Sequence, residues 1–563
     1  MPDPSRREPR RPTVPPGTLA ALCSLPLVLA CSPLGTVPAS NATPVVLGAE
    51  APDRCRAMAQ VQADRLRITT AEWVGAAQVR ARDPQAGVEV GEPLPAHCLL
   101  RGRLDERIGA DGEPYHTGFE LRLPATGNGR LLYQGGGGND GVLHMAVGRN
   151  TGALGWADNG LQRGFAAVST DAGHQSPTPT FGLDPKAREE HAWRAHWRTA
   201  TTARLLFERW YGRAPQHSYF IGCSGGGRQG MMFTQRFPAL FDGVIAQAPA
   251  MRVSEGATMA AAWTVQQFMK VAPPGPDGRP VLSAALGPDQ LQRVAADMLE
   301  RCDAADGLVD GLVADTALCR VNLARLTCPA GGEGCLSPAQ AGALQAVMAG
   351  PVNRDGRRLY FPWPWDPGIA HPGWRAWTLG TSGTGDPNAR HVTLISGALG
   401  FEFATPPDPT LTVTNFDFER DPLRLQSFHR MYGTADDVVL KPFQQRGGKL
   451  MLIHGMADPI FSAFETVDYQ QRVNAAYGAA AASRFVRTFL VPGMNHCAGG
   501  PATDAFDGLT ALQDWVENGR APEHLRARGT SVLAGIERPL CPYPRIARYK
   551  GGDTARADSF ECR

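Results

Sequence analysis

Residues 219–230 read YFIGCSGGGRQG. The apolar run before Gly222 is typical of a strand, and the residues after Ser224 are typical of the first turns of a helix. A Gly-x-Ser-x-Gly sequence between a strand and a helix predicts a nucleophile elbow, a strained turn that presents the serine hydroxyl at its tip. Glycines suit such a turn because a side chain there would collide with neighbouring backbone. The alternative is a glycine-rich turn in which Ser224 only caps the helix.

A serine hydroxyl is a weak nucleophile, so Ser224 needs a general base, and the base needs an orienting carboxylate. In α/β hydrolases these groups follow in the order Ser, Asp, His, each on a loop after a strand. The strand-like segment 449–454 leads to Asp458, and the strand-like segment 485–491 leads to His496. We therefore predict Ser224 as the nucleophile, Asp458 as the orienting carboxylate and His496 as the base.

Two cysteines flank the predicted catalytic residues. Cys223 directly precedes Ser224, and Cys497 directly follows His496. A disulfide between them would hold their Cα atoms within about 7 Å. Such a bond would bring the nucleophile and the base within reach of each other.

A tetrahedral intermediate also needs amide donors aimed at its oxyanion. The amide of Gly225, directly after the nucleophile, is one candidate. The run Gly135–Gly138 is the other source, because it lets backbone approach the substrate, and we choose Gly138. The alternative is a plain turn; the run lacks the lysine of a phosphate-binding loop.

Strand-like and helix-like segments alternate on both sides of the elbow. The strands are predicted at residues 130–134, 165–169, 218–222, 243–247, 449–454 and 485–491, and the helices at residues 190–211, 227–236, 463–477 and 505–518. This alternation predicts an α/β fold, with a doubly wound sheet as the core of an α/β hydrolase.

The alternation stops after Pro249. Residues 251–433 are rich in Gly, Pro and Trp and carry four of the cysteines. A structureless loop of this length is improbable in a compact domain, and 563 residues exceed the roughly 250–300 that one hydrophobic core serves. We therefore predict an inserted lid domain at 251–433, and a catalytic domain formed by 53–250 and 434–563.

The N-terminus is typical of an export signal. Several arginines precede a short apolar run, residues 19–30, which is too short to span a bilayer. Cys31 follows this run in the manner of a bacterial lipoprotein cleavage site, which would make it a lipidated N-terminus of the mature protein; the alternative is an ordinary signal peptide cut slightly later. We predict a signal peptide at 1–31, a linker at 32–52, and a protein that is secreted or is a periplasmic or outer-membrane lipoprotein.

The number of cysteines bears on the compartment in which the protein folds, and the net charge bears on the class of partner that it binds. Of twelve cysteines, Cys23 and Cys31 lie in the leader, which leaves an even ten. In an exported chain this number predicts five disulfides, which the sequence alone does not pair; scattered buried thiols are the alternative. A net charge of +2 argues against nucleic acid as a partner.

Residues 302–313, which read CDAADGLVDGLV, place three carboxylates and two glycines close together. Closely spaced oxygen ligands on a turning loop suit Ca²⁺ in a structural role, with backbone carbonyls completing the shell. The loop is too short for an EF-hand and lacks its final Glu. The alternative is a solvated acidic turn.

Three motifs together resemble the tannase and feruloyl esterase family. They are Gly-Cys-Ser-x-Gly-Gly at 222–227, Gly-Met-x-Asp at 455–458 and Asn-His-Cys at 495–497. The resemblance extends from about Cys55 to Cys562. It implies a lidded α/β-hydrolase fold with the catalytic and oxyanion residues named above.

The resemblance also implies disulfide pairs and calcium ligands. The implied pairs are Cys223–Cys497, Cys55–Cys98, Cys302–Cys319, Cys328–Cys335 and Cys541–Cys562. The implied calcium ligands are the side chains of Asp303, Asp306 and Asp310 and the carbonyls of Leu308 and Leu312.

For substrate, the resemblance implies an ester of an aromatic acid, with Trp377 and Phe461 against the ring. Family members that cleave terephthalate monoesters hold the free carboxylate with a lid arginine; aligned without a gap, His391 rather than Arg390 takes that position. The expected substrates are mono-hydroxyethyl terephthalate, then feruloyl and galloyl esters, cleaved by a monomer. A calcium-stabilised binding protein without activity is the remote alternative, against which the three intact catalytic residues argue.

Overall fold

The computed structural model describes residues 44–84, 86–316, 319–328 and 334–563. The predicted signal peptide, Cys31 and most of the predicted linker lie outside the described residues. The strands of the described part are, in chain order, β1 (Val45–Val46), β2 (Leu66–Val74), β3 (Arg80–Arg82), β4 (Glu89–Pro93), β5 (His97–Ile108), β6 (Pro114–Pro124), β7 (Thr126–Gly127), β8 (Arg130–Gln134), β9 (Ala166–Thr170), β10 (His217–Cys223), β11 (Gly243–Gln247), β12 (Lys449–Gly455), β13 (Val486–Val491), β14 (Ala505–Phe506), β15 (Leu525–Arg528), β16 (Glu537–Leu540), β17 (Ala547–Tyr549) and β18 (Phe560–Cys562).

Helices occur both between these strands and in the long segment that separates β11 from β12. They are α1 (Ala51–Ala57), α2 (Pro185–Glu189), α3 (Ala195–Tyr211), α4 (Gly225–Arg236), α5 (Thr258–Met269), α6 (Pro288–Cys302), α7 (Pro338–Ala349), α8 (Pro372–Thr378), α9 (Arg390–Thr393), α10 (Ile395–Gly397), α11 (Pro422–Tyr432), α12 (Lys441–Gln445), α13 (Ala463–Tyr477), α14 (Ala479–Ala482) and α15 (Gly508–Asn518).

A nine-stranded sheet forms the centre of the fold, in the order β13-β12-β11-β10-β8-β9-β6-β5-β2. The six strands from β13 to β9 are parallel to one another, whereas β6, β5 and β2 continue the sheet in antiparallel fashion. The predicted α/β fold is confirmed. The antiparallel edge was not predicted, because no helix separates those strands in the chain.

Both faces of the parallel strands are covered, which is why these strands are apolar along their whole length. Successive side chains of a strand point to opposite faces. Phe220, for example, packs into the same buried cluster as residues of α3, α4 and α13, and its neighbour Tyr219 packs into the cluster formed with α15. The carboxyl ends of β8, β10, β12 and β13 carry the loops that hold the predicted catalytic and oxyanion residues.

Most predicted elements of the α/β part match the structure to within one or two residues. Two details differ. The segment predicted as a helix at 505–518 begins with the short strand β14, and α15 starts only at Gly508, where Asp507 caps it. The predicted helix 190–211 begins with a π-helical turn, Glu190–Arg194, before α3.

The segment between β11 and β12 is inserted between two hydrogen-bonded neighbours of the sheet. It is mainly helical, and residues from it supply most of a separate hydrophobic cluster that also includes Ile460 and Phe461. The sequence of this segment shows no regular alternation of strands and helices, because the helices of the segment are short and are joined by turns rich in Gly and Pro. The described residues pack as one unit, and the exact boundaries of a lid domain at 251–433 stay a prediction.

The described end of the predicted linker is ordered against the fold. Val45–Val46 pairs with Thr126–Gly127, and α1 begins at Ala51. Residues 45–52 are therefore not a free tether, because backbone hydrogen bonds and the buried side chain of Ala51 fix them.

The described residues form five disulfides, and they are the five pairs that the family resemblance implies. Disulfides persist in oxidising environments, which indicates an extracytoplasmic protein. Among the described residues, no helix has both the length and the apolar character needed to cross a membrane.

Arg228, on α4, joins the sheet region to the inserted segment. Its side chain is fully buried and donates hydrogen bonds to the carbonyls of Ala192, at 2.8 Å, and Tyr432, at 3.2 Å. The guanidinium also lies 3.7 Å from the centroid of the Tyr432 ring. One side chain thus links the helix of the elbow to the end of α11.

We expect Arg228→Gln to lower the melting temperature markedly, at a cost of roughly 2–4 kcal/mol, because buried carbonyls lose a charged donor and the stacked ring loses its cation. Arg430→Gln on the exposed side of α11 is the matched control and should melt like the wild type. Differential scanning fluorimetry on the three proteins measures this. Equal melting temperatures for the two variants would contradict the bridging role.

Candidate active site

The turn between β10 and α4 places Ser224 in a strained conformation. Its φ and ψ are 64° and −123°, a region that side-chain-bearing residues rarely adopt. The Ser224 amide donates to the carbonyl of Gln247 at 3.0 Å. A Cβ on Gly222 would lie 2.5 Å from the backbone carbonyl of Gly226, so only glycine fits there. The structure therefore contains the sharp turn that the sequence pattern predicts.

Asp458, which is buried, and His496 form a hydrogen-bonded pair on the loops after β12 and β13. The Nδ1 atom of His496 lies 2.7 Å from Asp458 Oδ2. The other carboxylate oxygen accepts the amides of Ile460, at 2.9 Å, and Phe461, at 3.1 Å. Burial by itself raises the pKa of Asp458, but the charge of His496 and hydrogen bonds from His454 and His496 outweigh it, and the pKa lies well below its usual range. Asp458 is therefore an ionised group suited to orient an imidazole.

The disulfide Cys223–Cys497 joins the elbow to the histidine loop. The two Cα atoms are 6.0 Å apart. Cys497 has a φ of 68°, and the side-chain amide of Gln247 donates to its carbonyl. Ser224 and His496 consequently line one cavity, whose volume is about 620 Å³.

The glycine loop after β8 lies against the elbow. Three of its four amides are occupied within the protein: Gly135 donates to the Ile221 carbonyl, Gly136 to the Gln229 side chain and Gly137 to Asp140. The amide of Gly138 donates no hydrogen bond to any described residue. Its nitrogen is 3.6 Å from where a Cβ on Gly225 would be, and both glycines line the cavity. The structure thus brings the two predicted amide donors together and leaves Gly138 free to bind an oxyanion.

Residues of the inserted segment hydrogen-bond to the loops that carry Asp458 and His496. Asp366, which is fully buried, accepts the amides of Gly368, at 2.8 Å, and Gly493, at 2.9 Å. The indole of Trp363 donates to the carbonyl of Asp458 at 3.0 Å. Sequence reasoning missed both residues, because a turn such as Asp366-Pro367-Gly368 does not show where it docks.

Trp377 and Phe461 flank the candidate base. Each ring centroid lies 5.4 Å from that of His496, with an edge-on orientation. Both side chains are buried and line the cavity, and the apolar side chains of Leu394, Ile395 and Phe403 extend the same wall. This end of the cavity suits an aromatic ring.

Arg390 and His391 occupy different environments. Arg390 begins α9, is exposed and lines the cavity, with its guanidinium 5.4 Å from the Trp377 ring centroid. His391 is buried, does not line the cavity and lies 6.0 Å from Trp377. Burial lowers the pKa of His391 to about 4, so its ring is neutral. The assignment of His391 as a substrate-binding residue is therefore not supported, because neighbouring residues of a helix point in different directions.

The acidic loop at 303–312 packs near the C-terminal strands. Asp303 accepts the amides of Asp310 and Gly311, and Asp310 pairs with Arg538. Burial and the charges of Asp310 and Asp303 raise the pKa of Asp306 to about 6. The donors are the hard oxygens that Ca²⁺ prefers, but within the described residues no three acidic, His or Cys side chains converge on one point. Calcium binding at this loop therefore stays a prediction.

A family model described as tannase and feruloyl esterase matches residues 107–563. The chain belongs to the tannase and feruloyl esterase family. It is 40% identical to mono(2-hydroxyethyl) terephthalate hydrolase of Piscinibacter sakaiensis, over 85% of this chain and 87% of that protein. It is 30% identical to a probable feruloyl esterase B-1 of Aspergillus fumigatus, over 79% of this chain and 82% of that protein.

Two solved structures share the fold of this chain. Feruloyl esterase B from Aspergillus oryzae matches with a TM-score of 0.75 and 24% identity, covering 91% of this chain and all of that one. Tannin acyl hydrolase from Aspergillus niger matches with a TM-score of 0.68 and 22% identity, covering 91% of this chain and 94% of that one. As a member of the family, the protein is a carboxylic-ester hydrolase.

We expect removal of the Cys223–Cys497 disulfide, in the double variant Cys223→Ala/Cys497→Ala, to lower kcat/KM for an aromatic ester by roughly 100-fold, the typical cost of a misplacement of about 1 Å. The matched control is Cys55→Ala/Cys98→Ala, which removes a disulfide between α1 and β5. Activity should be assayed well below both melting temperatures. Equal losses in the two variants would show that the site does not depend on its neighbouring disulfide.

Proposed function

We propose that the protein hydrolyses esters of aromatic carboxylic acids through an acyl-enzyme on Ser224. One observation carries the proposal: the elbow serine and His496, which is hydrogen-bonded to Asp458, line the same cavity as Trp377 and Phe461. Nucleophile, base and a wall for an aromatic ring therefore meet at one place.

In the first step, His496 takes the Ser224 proton as the hydroxyl oxygen attacks the ester carbonyl. The amides of Gly138 and Gly225 stabilise the negative charge on the carbonyl oxygen. The intermediate collapses, and the alcohol leaves with the proton that His496 returns. In the second step, a water that gives its proton to His496 attacks the acyl-enzyme, and His496 returns that proton to Ser224 Oγ as the bond between Ser224 and the aromatic acid breaks.

Arg390 favours a terephthalate monoester as the substrate. In the described part of the chain its guanidinium has no carboxylate partner, and it lies beside Trp377 at the apolar end of the cavity. A planar guanidinium binds a carboxylate through two parallel hydrogen bonds. An aromatic ring against Trp377 would direct a free acid group on that ring towards Arg390, and the relative from Piscinibacter sakaiensis acts on such a monoester by its name. Feruloyl and galloyl esters are the second choice.

We expect Ser224→Ala to lower kcat for mono-hydroxyethyl terephthalate and for methyl ferulate by about 10⁴-fold or more, because the covalent route is lost. Release of the aromatic acid, followed by liquid chromatography, measures this. Ser462→Ala, a buried serine that caps α13, is a control for loss of a hydroxyl elsewhere. Undiminished hydrolysis by Ser224→Ala would refute the assignment.

We also propose that Ca²⁺ binds Asp303, Asp306 and Asp310, with the carbonyls of Leu308 and Leu312 completing the shell. The excess of negative charge on this loop supports the proposal, since a bound cation would offset it. The role is structural, because none of these residues lines the cavity around Ser224.

Removal of calcium with EGTA should lower the melting temperature by several degrees, since a ligand at about 100 times its Kd stabilises the folded state by about 2.7 kcal/mol. Added Ca²⁺ should restore the melting temperature and Mg²⁺ should not, because Mg²⁺ requires a small octahedral shell. The variant Asp306→Asn should lose the response. An identical melting temperature with EGTA and with Ca²⁺ would contradict the site.

Export is supported by the five disulfides, and we propose that Cys31 carries the lipid anchor of an outer-membrane lipoprotein. The residue lies outside the described part of the chain. The monomeric state also stays a prediction.

A further inference from the structure

Asp140 closes the turn that contains Gly138, the predicted oxyanion donor. The amide of Gly137 donates to Asp140 Oδ1 at 2.8 Å, and the amide of Asp140 donates back to the carbonyl of Gly137 at 3.1 Å. Gly138 lies between these two residues and has a φ of 62°. Asp140 has a φ of 33°, which residues with side chains rarely adopt. Backbone strain of this kind is found mostly at functional sites.

Gln229 connects the same carboxylate to the helix of the elbow. Its side-chain NH2 group donates to Asp140 Oδ2 at 2.9 Å, and its side-chain oxygen accepts the amide of Gly136 at 3.2 Å. Both side chains are buried. Gln229 lies four residues after Gly225 on α4, about one helical turn from the second predicted oxyanion donor. The network therefore connects the glycine loop to the helix that begins with Gly225.

The two ends of this network decide which side chains can complete it. Each end is a backbone N–H group, which can only donate. A chain with a donor at both ends needs one side chain that only accepts and one that both accepts and donates, and these are the carboxylate of Asp140 and the amide of Gln229. Burial by itself raises the pKa of Asp140, and the hydrogen bonds from Gln229 and Gly137 favour its ionised form. Two carboxamides in these places would leave two N–H groups facing each other.

We propose that Asp140 and Gln229 are positioning residues of the oxyanion hole. They occupy the amides of Gly136 and Gly137, so that Gly138 presents the next amide of the loop to the ester carbonyl. Neither side chain lines the cavity, so their effect on the reaction passes through the glycine loop. The inference rests on the proposed function, because it concerns the oxyanion hole of the same reaction.

Asp140→Asn tests the inference, because it replaces one oxygen by an NH2 group and no orientation of two carboxamides then satisfies both backbone amides. We expect kcat/KM for p-nitrophenyl acetate and for mono-hydroxyethyl terephthalate to fall by roughly 100-fold, the effect of misplacing one oxyanion donor. The affinity for an aryl boronic acid, which forms a tetrahedral adduct with Ser224, should fall in parallel. The affinity for free terephthalate, which has no tetrahedral oxyanion, should change less than about threefold.

The double variant Asp140→Asn/Gln229→Glu exchanges the carboxylate and the amide between the two positions. The carboxylate at position 229 then accepts the Gly136 amide and the NH2 group at position 140, whose oxygen accepts the Gly137 amide. We expect this exchange to restore kcat/KM and boronate affinity to within about fivefold of the wild type. Asp171→Asn is the matched control and should keep kcat/KM, since Asp171 is buried and accepts glycine amides and a glutamine NH2 group outside this network.

The outcomes separate the inference from the function on which it rests. Wild-type activity in Asp140→Asn, equal losses of boronate and terephthalate affinity, or a double variant no better than Asp140→Asn would each overturn the positioning role. If the wild type cleaves p-nitrophenyl acetate but no ester of an aromatic acid, the substrate class is refuted and the oxyanion test still holds. Should Asp140→Asn melt below the assay temperature, Gln229→Met should show the same losses, because it removes both hydrogen-bonding atoms of the amide; wild-type activity in Gln229→Met would contradict the role.

Discussion

The covalent link between Cys223 and Cys497 is the constraint on which the rest of the site depends. These residues are 274 positions apart in sequence, yet one directly precedes the nucleophile and the other directly follows the candidate base. Ser224 and Cys497 each have a positive φ, so the two turns that the disulfide joins have little conformational freedom. The bond therefore holds two strained turns against each other. The Asp458 carboxylate then needs only to orient an imidazole whose backbone is already placed.

The inserted segment contacts the catalytic loops and also lines the cavity. Through Trp363 and Asp366 it hydrogen-bonds to the loops of Asp458 and His496, and through Trp377 it forms a wall of the cavity. The same segment thus supports the catalytic groups and shapes the space for the substrate. This arrangement couples specificity to catalysis, because a change in the packing of the insertion moves both.

The sequence was sufficient for the α/β core, since each parallel strand is a continuous apolar run that ends in a turn, and Ser224, Asp458 and His496 each follow such a strand. It was insufficient where position depends on long-range packing. The different surroundings of Arg390 and His391, for example, depend on where α9 begins and on what packs against it. The antiparallel strands β2, β5 and β6 lack helices between them and so did not fit the alternating pattern.

The most direct test of the account is a crystal structure of the protein after reaction with an aryl phosphonate. The account predicts a single covalent bond from phosphorus to Ser224 Oγ, with the phosphonyl oxygen within hydrogen-bond distance of the Gly138 and Gly225 amides and His496 Nε2 next to the bond. A label on another residue, or a phosphonyl oxygen turned away from both amides, would contradict it.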